Sequence, residues 1–460
     1  MRFRSFLLPF SILIIALAST SLFARARLGQ IVQHRSSSST SASSSGTVHR
    51  TPTGFKNIVV VGASYVGMMA AKELITKLDG EEQKKDSYRV VVVEKQSHFS
   101  HLFAFPPFAI VPSHEHKAFI PLSLPSPHLL LRAIVESITP HSSLLLDRPV
   151  QLDGKKVTEL PFEALVLASG TKLTPPGTMP EGVKYLQGVQ EELKKAHDLV
   201  ILGGGAVGVQ MATDLAILYP EKSITVVQSR TLMPRFHPQL HGLVMKRFQE
   251  LGITTVLGSR AVIPAEGFNV QGREQNQVVR TQNGDEVKAD YVIESTGQTP
   301  NSAYLASFAP STLTPSKYVR VTSALQVDAQ GVEDEEVKKV AGRIFAVGDI
   351  ADSGAPKAAR PGIAQATIVA NNIAKLVAGE EASSFETYHP NPAAIHLTLG
   401  FAESVIFRNP PSTNPEDVLG SFEGDPVIVV KDDGKKDMGI EGVWQKRAPG
   451  LVKSQEDYWL

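Results

Sequence analysis

The sequence contains no cysteine among its 460 residues. This absence excludes structural disulfides, thiolate nucleophiles, a redox-active cysteine pair and cysteine-ligated metal clusters. The sequence also lacks an excess of either charge, since 46 Lys and Arg residues balance 46 Asp and Glu residues. It therefore shows no basic footprint of a nucleic-acid-binding protein. No Asn-x-Ser/Thr acceptor occurs, which disfavours a glycosylated secreted protein.

Residues 1–55 differ in composition from the rest of the chain. An uncharged and mostly apolar run extends from Phe6 to Phe23 between flanking arginines, and a Ser-rich stretch follows over residues 36–46. The run is near the lower length limit for a membrane span, and the first acidic residue of the chain is Glu73, which is typical of a mitochondrial leader. We expect an anchor or mitochondrial leader with a flexible linker, so that the protein is associated with a mitochondrial or other intracellular membrane. A cleaved secretory signal and an incidental apolar start are the less favoured alternatives.

Residues 56–71 predict a buried strand, a tight turn and a helix. The β-branched run ends at Gly62, and Gly67 lies where helix and strand must pack closely. Such a turn directs free backbone N–H groups at a pyrophosphate, although Ser64 stands where the fingerprint usually has its second glycine. The next strand ends in Glu94, an acid that accepts ribose hydroxyls in this kind of unit. The pattern predicts a dinucleotide site, and the alternative is a glycine-containing turn from strand to helix that binds no ligand.

A second strand, turn and helix follows near residue 200 with an intact GxGxxG, formed by Gly203, Gly205 and Gly208. Its next strand ends at Gln228 and lacks the usual acid. Gln228 can hydrogen-bond a ribose hydroxyl without repelling a phosphate, and Arg230 can pair with a 2′-phosphate. The pattern predicts a second dinucleotide site that accepts NADPH, and the alternative for Arg230 is a side chain that simply faces solvent.

Three further strands end in small residues. Ser169-Gly170 closes the first, Gly297 follows the second, and Gly348-Asp349 closes the third. A helix predicted over residues 361–378 carries Gln365 in its first turn. The repetition indicates that the second nucleotide unit is an inserted copy of the first.

Two other stretches leave alternatives open. Residues 97–108 are rich in aromatic side chains and fit neither strand nor helix well, so they either fill the core or form a wall for an aromatic ligand. Trp444 and Trp459 lie near the end with Lys446, Arg447 and Lys453 between them. They suit a membrane interface, a dimer contact or plain packing. Residues 114–116, His-Glu-His, lack a third ligand nearby, and no metal site is predicted.

These motifs resemble the two-dinucleotide flavoproteins of the pyridine nucleotide–disulfide oxidoreductase superfamily over roughly Lys56 to Leu460. Within it, residues 114–121, Lys357 and the short tail resemble the branch of apoptosis-inducing-factor-like and ferroptosis-suppressor flavoproteins, which act as NAD(P)H:quinone oxidoreductases. The resemblance implies an α/β, glutathione-reductase-like fold. The FAD domain would comprise residues 56–175 and 301–385, the inserted NAD(P)H domain 176–300, and a small C-terminal α+β region 386–460.

The resemblance also implies two cofactors, FAD and NAD(P)H, and a residue set for each. The residues implied for FAD are Gly62, Ser64, Gly67, Glu94, Ser169, Gly170, Gly348, Asp349 and Gln365. Those implied for NAD(P)H are Gly203, Gly205, Gly208, Gln228, Arg230 and Gly297. Lys357 would lie near the flavin edge as a candidate catalytic residue, with a solvated surface lysine as the alternative.

Three positions depart from the pattern of the relatives. Gln210 stands where they commonly have Glu, Gln228 replaces the ribose acid, and Pro107 stands where they often carry Arg. Because no cysteine is present, electrons cannot pass to a disulfide within the chain. Together with the resemblance, this leads us to expect an NAD(P)H oxidoreductase that reduces a quinone or another small acceptor. A homodimer is a separate expectation. The alternatives are a reductase for a soluble acceptor, such as monodehydroascorbate or an electron-transfer protein, and an apoptosis-linked flavoprotein with mainly a signalling role.

Overall fold

The computed structural model of the protein describes residues 54–80, 87–172, 177–269, 277–411 and 422–460. The predicted leader therefore lies outside the described residues. The strands are β1 (Lys56–Val61), β2 (Tyr88–Glu94), β3 (His98–Ser100), β4 (Phe119–Pro121), β5 (Leu129–Arg132), β6 (Val135–Thr139), β7 (Ser143–Leu152), β8 (Lys155–Pro161), β9 (Ala164–Leu167), β10 (Asp198–Leu202), β11 (Ser223–Gln228), β12 (Thr254–Leu257), β13 (Gln277–Arg280), β14 (Glu286–Ala289), β15 (Tyr291–Glu294), β16 (Val319–Arg320), β17 (Ile344–Ala346), β18 (Ala351–Asp352), β19 (Ala394–Thr398), β20 (Glu403–Arg408) and β21 (Val427–Asp432).

The α-helices connect these strands and cover the sheets. They are α1 (Tyr65–Asp79), α2 (Phe105–Phe108), α3 (Met179–Lys195), α4 (Ala206–Leu218), α5 (Pro238–Glu250), α6 (Ala303–Ala306), α7 (Glu335–Ala341), α8 (Ala359–Val377) and α9 (Ile440–Arg447). No helix in the described parts of the chain is both long enough and apolar enough to cross a membrane.

The first sheet is parallel and has the order β17-β9-β1-β2-β5. Its central strands read as unbroken apolar runs because both faces are covered. Val59 and Val61 of β1 pack into one core cluster, whereas Ile58 and Val60 pack into another beneath α1 and α8. The carboxyl ends of β1, β9 and β17 therefore meet at one edge, where the first phosphate turn lies.

The second sheet is also parallel and has the order β12-β11-β10-β15. Its strands come between β9 and β17 in sequence, although β9 and β17 are neighbours in the first sheet. This strand order confirms the predicted α/β class and the insertion of one nucleotide-binding unit within the other. The exact domain limits remain a prediction.

Antiparallel strands complete the structure. β6, β7 and β8 form a three-stranded sheet that belongs to one core cluster of the first unit. β19, β20 and β21 form another near the end of the chain. The aromatic stretch predicted to fit neither strand nor helix contains β3 and the single-turn helix α2, so that part of the prediction is wrong. Two prolines at the start of α2 suit a helix because the first helical N–H groups have no intrahelical acceptor.

Candidate functional site

The first phosphate turn is built so tightly that glycine is required at two positions. Gly62 has φ of +102°, and a Cβ there would lie 2.5 Å from the carbonyl oxygen of Ala168. A Cβ on Gly67 would lie 1.8 Å from the carbonyl oxygen of Gly62. Because both obstacles are backbone atoms, no side-chain rearrangement can admit a larger residue. These glycines set the close approach of α1 to the end of β1.

Two groups complete this turn. The carboxylate of Glu94 accepts hydrogen bonds from the backbone N–H of Ala63 at 2.6 Å and of Gln96 at 2.9 Å. Ser64 is the N-cap of α1, and its hydroxyl makes no capping hydrogen bond. The first N–H groups of α1 and the Ser64 hydroxyl are therefore available to an anionic ligand such as a pyrophosphate.

The second turn repeats this construction. Gly203 has φ of +109°, and a Cβ there would lie 2.6 Å from the carbonyl oxygen of Ser295. A Cβ on Gly208 would lie 1.9 Å from the carbonyl oxygen of Gly203. Gly205 is the N-cap of α4, and a Cβ on it would meet no atom within 4 Å. Glycine at that position therefore leaves open space at the helix N-terminus, as a phosphate requires.

Gln228 takes the place that Glu94 holds in the first unit. Its side-chain oxygen accepts a hydrogen bond from the backbone N–H of Gly204 at 2.9 Å, just as Glu94 accepts from Ala63. The amide group thus fastens the turn without adding a negative charge, and its N–H₂ remains a donor. Arg230 is exposed two residues later and has no ion pair within the described parts of the chain.

The carboxyl end of β9 is tied to the segment where the chain returns from the second unit. The hydroxyl of Ser169 donates to the carbonyl oxygen of Asn301 at 2.9 Å and lies 2.8 Å from the Tyr304 hydroxyl. In return, the Asn301 side chain donates to the carbonyl oxygen of Ser169 at 2.8 Å. Gly170 and Gly297 both have positive φ, +60° and +71°. Ser169 and Gly170 therefore tie the segment that leaves the first unit to the segment that returns to it.

The turn after β17 depends on Gln365. The backbone N–H of Gly348 donates to the Gln365 side-chain oxygen at 2.7 Å, and the Gln365 amide donates to the Ser353 hydroxyl at 2.8 Å. Gln365 is 1% exposed. Its predicted place in the first helical turn is wrong, because α8 begins at Ala359 and Gln365 is its seventh residue. Both ends of its amide have protein partners, so Gln365 positions the turn that carries Asp349.

Asp349 faces two cations across this turn. Burial raises the pKa of Asp349, and the charges of Lys357 and Arg235 oppose that rise. Burial lowers the pKa of Lys357, whose ammonium donates to the carbonyl oxygen of Ala351 and lies 4.6 Å from the ring centroid of Tyr318. Lys357 is therefore not the freely solvated lysine of the alternative interpretation. Arg235 comes from the second unit, so both units contribute charge to this region.

The sequence profile of the pyridine nucleotide–disulphide oxidoreductase family matches residues 56–368, which include both phosphate turns. The chain belongs to this family. This oxidoreductase uses FAD and NAD(P)H, and its two turns fit those cofactors, since each offers an open helix N-terminus beside glycines that no larger residue could replace.

The relatives of this oxidoreductase cover most of its length. It is 32% identical over 430 residues to Fe-regulated protein 8 of Mycosarcoma maydis, and the alignment covers 88% of this chain and 97% of that protein. It is 27% identical to ferroptosis suppressor protein 1 of Taeniopygia guttata over 361 residues, or 76% of this chain and 88% of the relative. The sulfide:quinone oxidoreductase of Aquifex aeolicus shares the fold with a TM-score of 0.63 at 18% identity, over 87% of this chain and 94% of that chain.

The three departures from the pattern of relatives have distinct surroundings in this oxidoreductase. Gln210 donates from its side-chain amide to the Thr398 hydroxyl of β19 at 2.8 Å. Pro107 is buried within α2. Gln228 fastens the second turn, as described above. Gln210 therefore links α4 to the C-terminal sheet, a contact that no sequence motif indicated.

Sequence reasoning missed the contacts within one group of side chains. Tyr65, the first residue of α1, lies 2.9 Å through its hydroxyl from Nδ1 of His101, and Arg447 of α9 lies over the Tyr65 ring. The signals in the sequence were the aromatic composition of residues 97–108 and the C-terminal stretch that contains Arg447, and neither could reveal a contact between residues more than 300 positions apart. Most of the predicted site residues fall into three places, which are the first turn, the second turn and the Asp349 region. The others, Ser169, Gly170 and Gly297, lie beyond the carboxyl ends of β9 and β15.

Proposed function

We propose that this protein oxidises NAD(P)H through bound FAD and passes the electrons to a quinone-type acceptor that diffuses to the flavin. The observation that carries the proposal is the presence of two complete phosphate turns in a chain that has no cysteine. The acceptor therefore cannot be a disulfide of this chain. Relatives named ferroptosis suppressor protein 1, at 24–27% identity, are consistent with an oxidoreductase of this branch.

Bound FAD supplies the redox centre that accepts a hydride and returns electrons. The residues of the chain bind and orient the cofactors. Gly62, Ser64 and Gly67 open the N-terminus of α1 to the FAD pyrophosphate, and Glu94 holds that turn while presenting its carboxylate to the ribose. Asp349 lies where a partly buried carboxylate can accept hydrogen bonds from the cofactor, at the end of a strand of the same sheet.

The second unit carries the nicotinamide dinucleotide in the proposal. Gly203, Gly205 and Gly208 leave the N-terminus of α4 open, and Gln228 offers a neutral donor to the ribose. Because no carboxylate stands at the end of β11, a 2′-phosphate meets no like charge there. Arg230 is free to pair with it, so NADPH is a substrate in this proposal.

Anaerobic stopped-flow separates the two halves of the reaction. The purified holoprotein is reduced with one equivalent of NADPH or NADH while flavin absorbance is followed, and a short-chain ubiquinone analogue is then added. Rapid bleaching followed by rapid reoxidation supports the proposal. Reduction without reoxidation by the quinone contradicts the quinone assignment and directs the search to a soluble acceptor.

Association with a membrane through residues 1–55 is a separate part of the proposal. It rests on the apolar run and the Ser-rich linker of the sequence. The test compares the full chain with a variant that begins at residue 56, both expressed in cells that are then fractionated. Sedimentation of the full chain with membranes, and release of the shortened one, is the expected outcome. Equal distribution of the two would contradict it.

A further inference from the structure

Five side chains form a cluster beside the first phosphate turn, and none of them has a role in the function proposed above. We name Tyr65, Phe99, His101, Phe103 and Arg447 the Tyr65 cluster. The ring of Tyr65 lies 4.9 Å from that of Phe99 and 5.0 Å from that of Phe103, centroid to centroid. Because Tyr65 directly follows Ser64 in the turn, the cluster lies next to the FAD-binding turn.

The contact between Tyr65 and His101 bears on where the imidazole carries its proton. Burial raises the pKa of the Tyr65 hydroxyl, so this group keeps its proton at neutral pH. It lies 2.9 Å from Nδ1 of His101 and can donate to it. Nδ1 then accepts, so the proton of the neutral ring is on Nε2.

His101 is an uncharged donor at neutral pH. It is 8% exposed, and burial together with the charge of Arg447 lowers the pKa of His101 to about 4. Among the residues that the structure describes, Nε2 has no hydrogen-bond partner. Nε2 is not one of the fully buried polar atoms that lack a partner in the described parts of the chain, so it reaches solvent and is accessible to a ligand oxygen.

Arg447 is a second donor that lacks an acceptor. Its guanidinium carbon lies 3.6 Å from the Phe99 ring centroid and 5.0 Å from that of Tyr65, and burial lowers its pKa. No carboxylate or carbonyl group in the described parts of the chain accepts a hydrogen bond from it. Aromatic faces stabilise such a cation only in part, so the cluster favours a ligand that brings oxygen acceptors.

The fold holds Arg447 firmly in this place. Trp444, one turn earlier in α9, is 1% exposed and donates from its indole N–H to the carbonyl oxygen of Lys117 at 2.8 Å. Its ring also packs edge-on against Tyr458 at 5.0 Å. Phe103 is 54% exposed, so the cluster reaches solvent on that side. A planar molecule can therefore approach along the Phe103 ring and meet donors that are already in position.

We propose that Nε2 of His101 and the guanidinium of Arg447 bind a carbonyl oxygen of the quinone-type acceptor, with the aromatic rings of the cluster against its plane. The inference rests on the proposed function. Reducing a quinone to a quinol takes two electrons and two protons. NAD(P)H supplies both electrons and one proton as a hydride, and the second proton comes from solvent. The two donors stabilise the negative charge that develops on the oxygen as electrons arrive.

The test uses the holoprotein and three variants. Arg447→Met removes the cation, His101→Phe removes the second donor while keeping an aromatic ring, and Lys446→Met is the matched control on the same helix with an exposed side chain. Equilibrium binding of a short-chain ubiquinone analogue to the oxidised holoprotein is followed by quenching of protein fluorescence. FAD content, flavin midpoint potential and the two half-reactions are measured on the same preparations.

We expect both cluster variants to weaken quinone binding, and to slow reoxidation by quinone, roughly 10- to 100-fold. This is the effect expected when a charged or buried hydrogen bond is lost. Reoxidation by ferricyanide, which needs no carbonyl site, should fall far less, and Lys446→Met should match the wild type. Wild-type quinone binding in both cluster variants overturns the inference. A shifted midpoint potential with unchanged quinone binding overturns it too, since the donors would then hold a carbonyl of the flavin. A wild type that does not react with quinone defeats the proposed function instead.

Discussion

The contact between Gln228 and Gly204 leads to a sharp prediction about the nicotinamide dinucleotide. Replacing the amide by a carboxylate in Gln228→Glu keeps the acceptor for the Gly204 N–H, because Glu94 makes the equivalent contact in the first unit. The variant changes one thing, the charge at the end of β11. It should therefore leave the second turn intact and act only on the ligand.

The size of the effect follows from Coulomb's law. Two unit charges about 4 Å apart interact by about 1 kcal/mol in water and by about 4 kcal/mol at an effective dielectric constant near 20. Gln228 is half-buried, so we expect an intermediate value. Repulsion of the 2′-phosphate should weaken the interaction with NADPH by about 2 kcal/mol, which lowers kcat/KM for NADPH about 30-fold. The value of kcat/KM for NADH should rise, because a carboxylate accepts hydrogen bonds from the free ribose hydroxyls.

The assay is anaerobic reduction of the bound flavin by each dinucleotide over a range of concentrations, with FAD content as the control for folding. Arg230→Ala is the companion variant and should also weaken NADPH while leaving NADH nearly unchanged. The two side chains should act on the same phosphate, so the double variant should show coupling between them. Equal losses for NADH and NADPH in Gln228→Glu would refute the reasoning, since they would mean that the turn itself was damaged.

Three further predictions follow from the same structure. Asp349→Ala should release FAD, whereas the control Asp352→Ala, at an exposed neighbour, should retain it. The measurement is the ratio of flavin to protein absorbance. Full flavin content in Asp349→Ala would contradict the assignment of Asp349 to FAD binding. Gly67→Ala should abolish FAD binding, while Gly208→Ala should keep the flavin but lose its reduction by NADPH. In both variants the added methyl group would lie less than 2 Å from a backbone atom. Loss of both cofactors from either variant would argue against independent turns. Burial raises the pKa of Asp214 from 3.8 to about 8, and its Oδ1 has no hydrogen-bond partner in the described parts of the chain. Between these two pH values the folded state holds a proton that the unfolded state has released. The free energy of unfolding therefore falls as pH rises from about 4 to about 8. Asp214→Asn should therefore raise the melting temperature more at pH 8 than at pH 5, and an equal change at both pH values would show that Asp214 is not protonated in the folded protein.

Both phosphate turns could be predicted from the sequence because their physics is local. A buried β-branched run followed by glycines at fixed spacing allows only a few backbone paths, and the structure places Gly62, Gly67, Gly203 and Gly208 where any Cβ would strike backbone atoms. The insertion of one unit in the other could also be predicted, since the repeated small residues at strand ends indicated it, whereas the strand order came from the structure.

The remaining contacts could not be predicted because they join distant parts of the chain. Nothing near Gln365 in sequence shows that its amide fastens both Gly348 and Ser353. The same holds for Arg447, whose position over Phe99 depends on how α9 packs on the loop after β2. Side-chain partners of this kind follow from tertiary packing, which composition and periodicity do not encode residue by residue.

The position of β17 beside β9 has a consequence for how the chain folds during synthesis. β9 leaves the ribosome well before β17, and the entire second sheet is made between them. Until β17 arrives, the outer edge of β9 has no strand to pair with, and an open edge of apolar residues is prone to join other chains. The inserted unit can complete its own sheet first and bring its two ends together, which shortens the loop that β17 must close. Slow or faulty folding of the inserted unit should therefore appear first as aggregation of the FAD-binding unit.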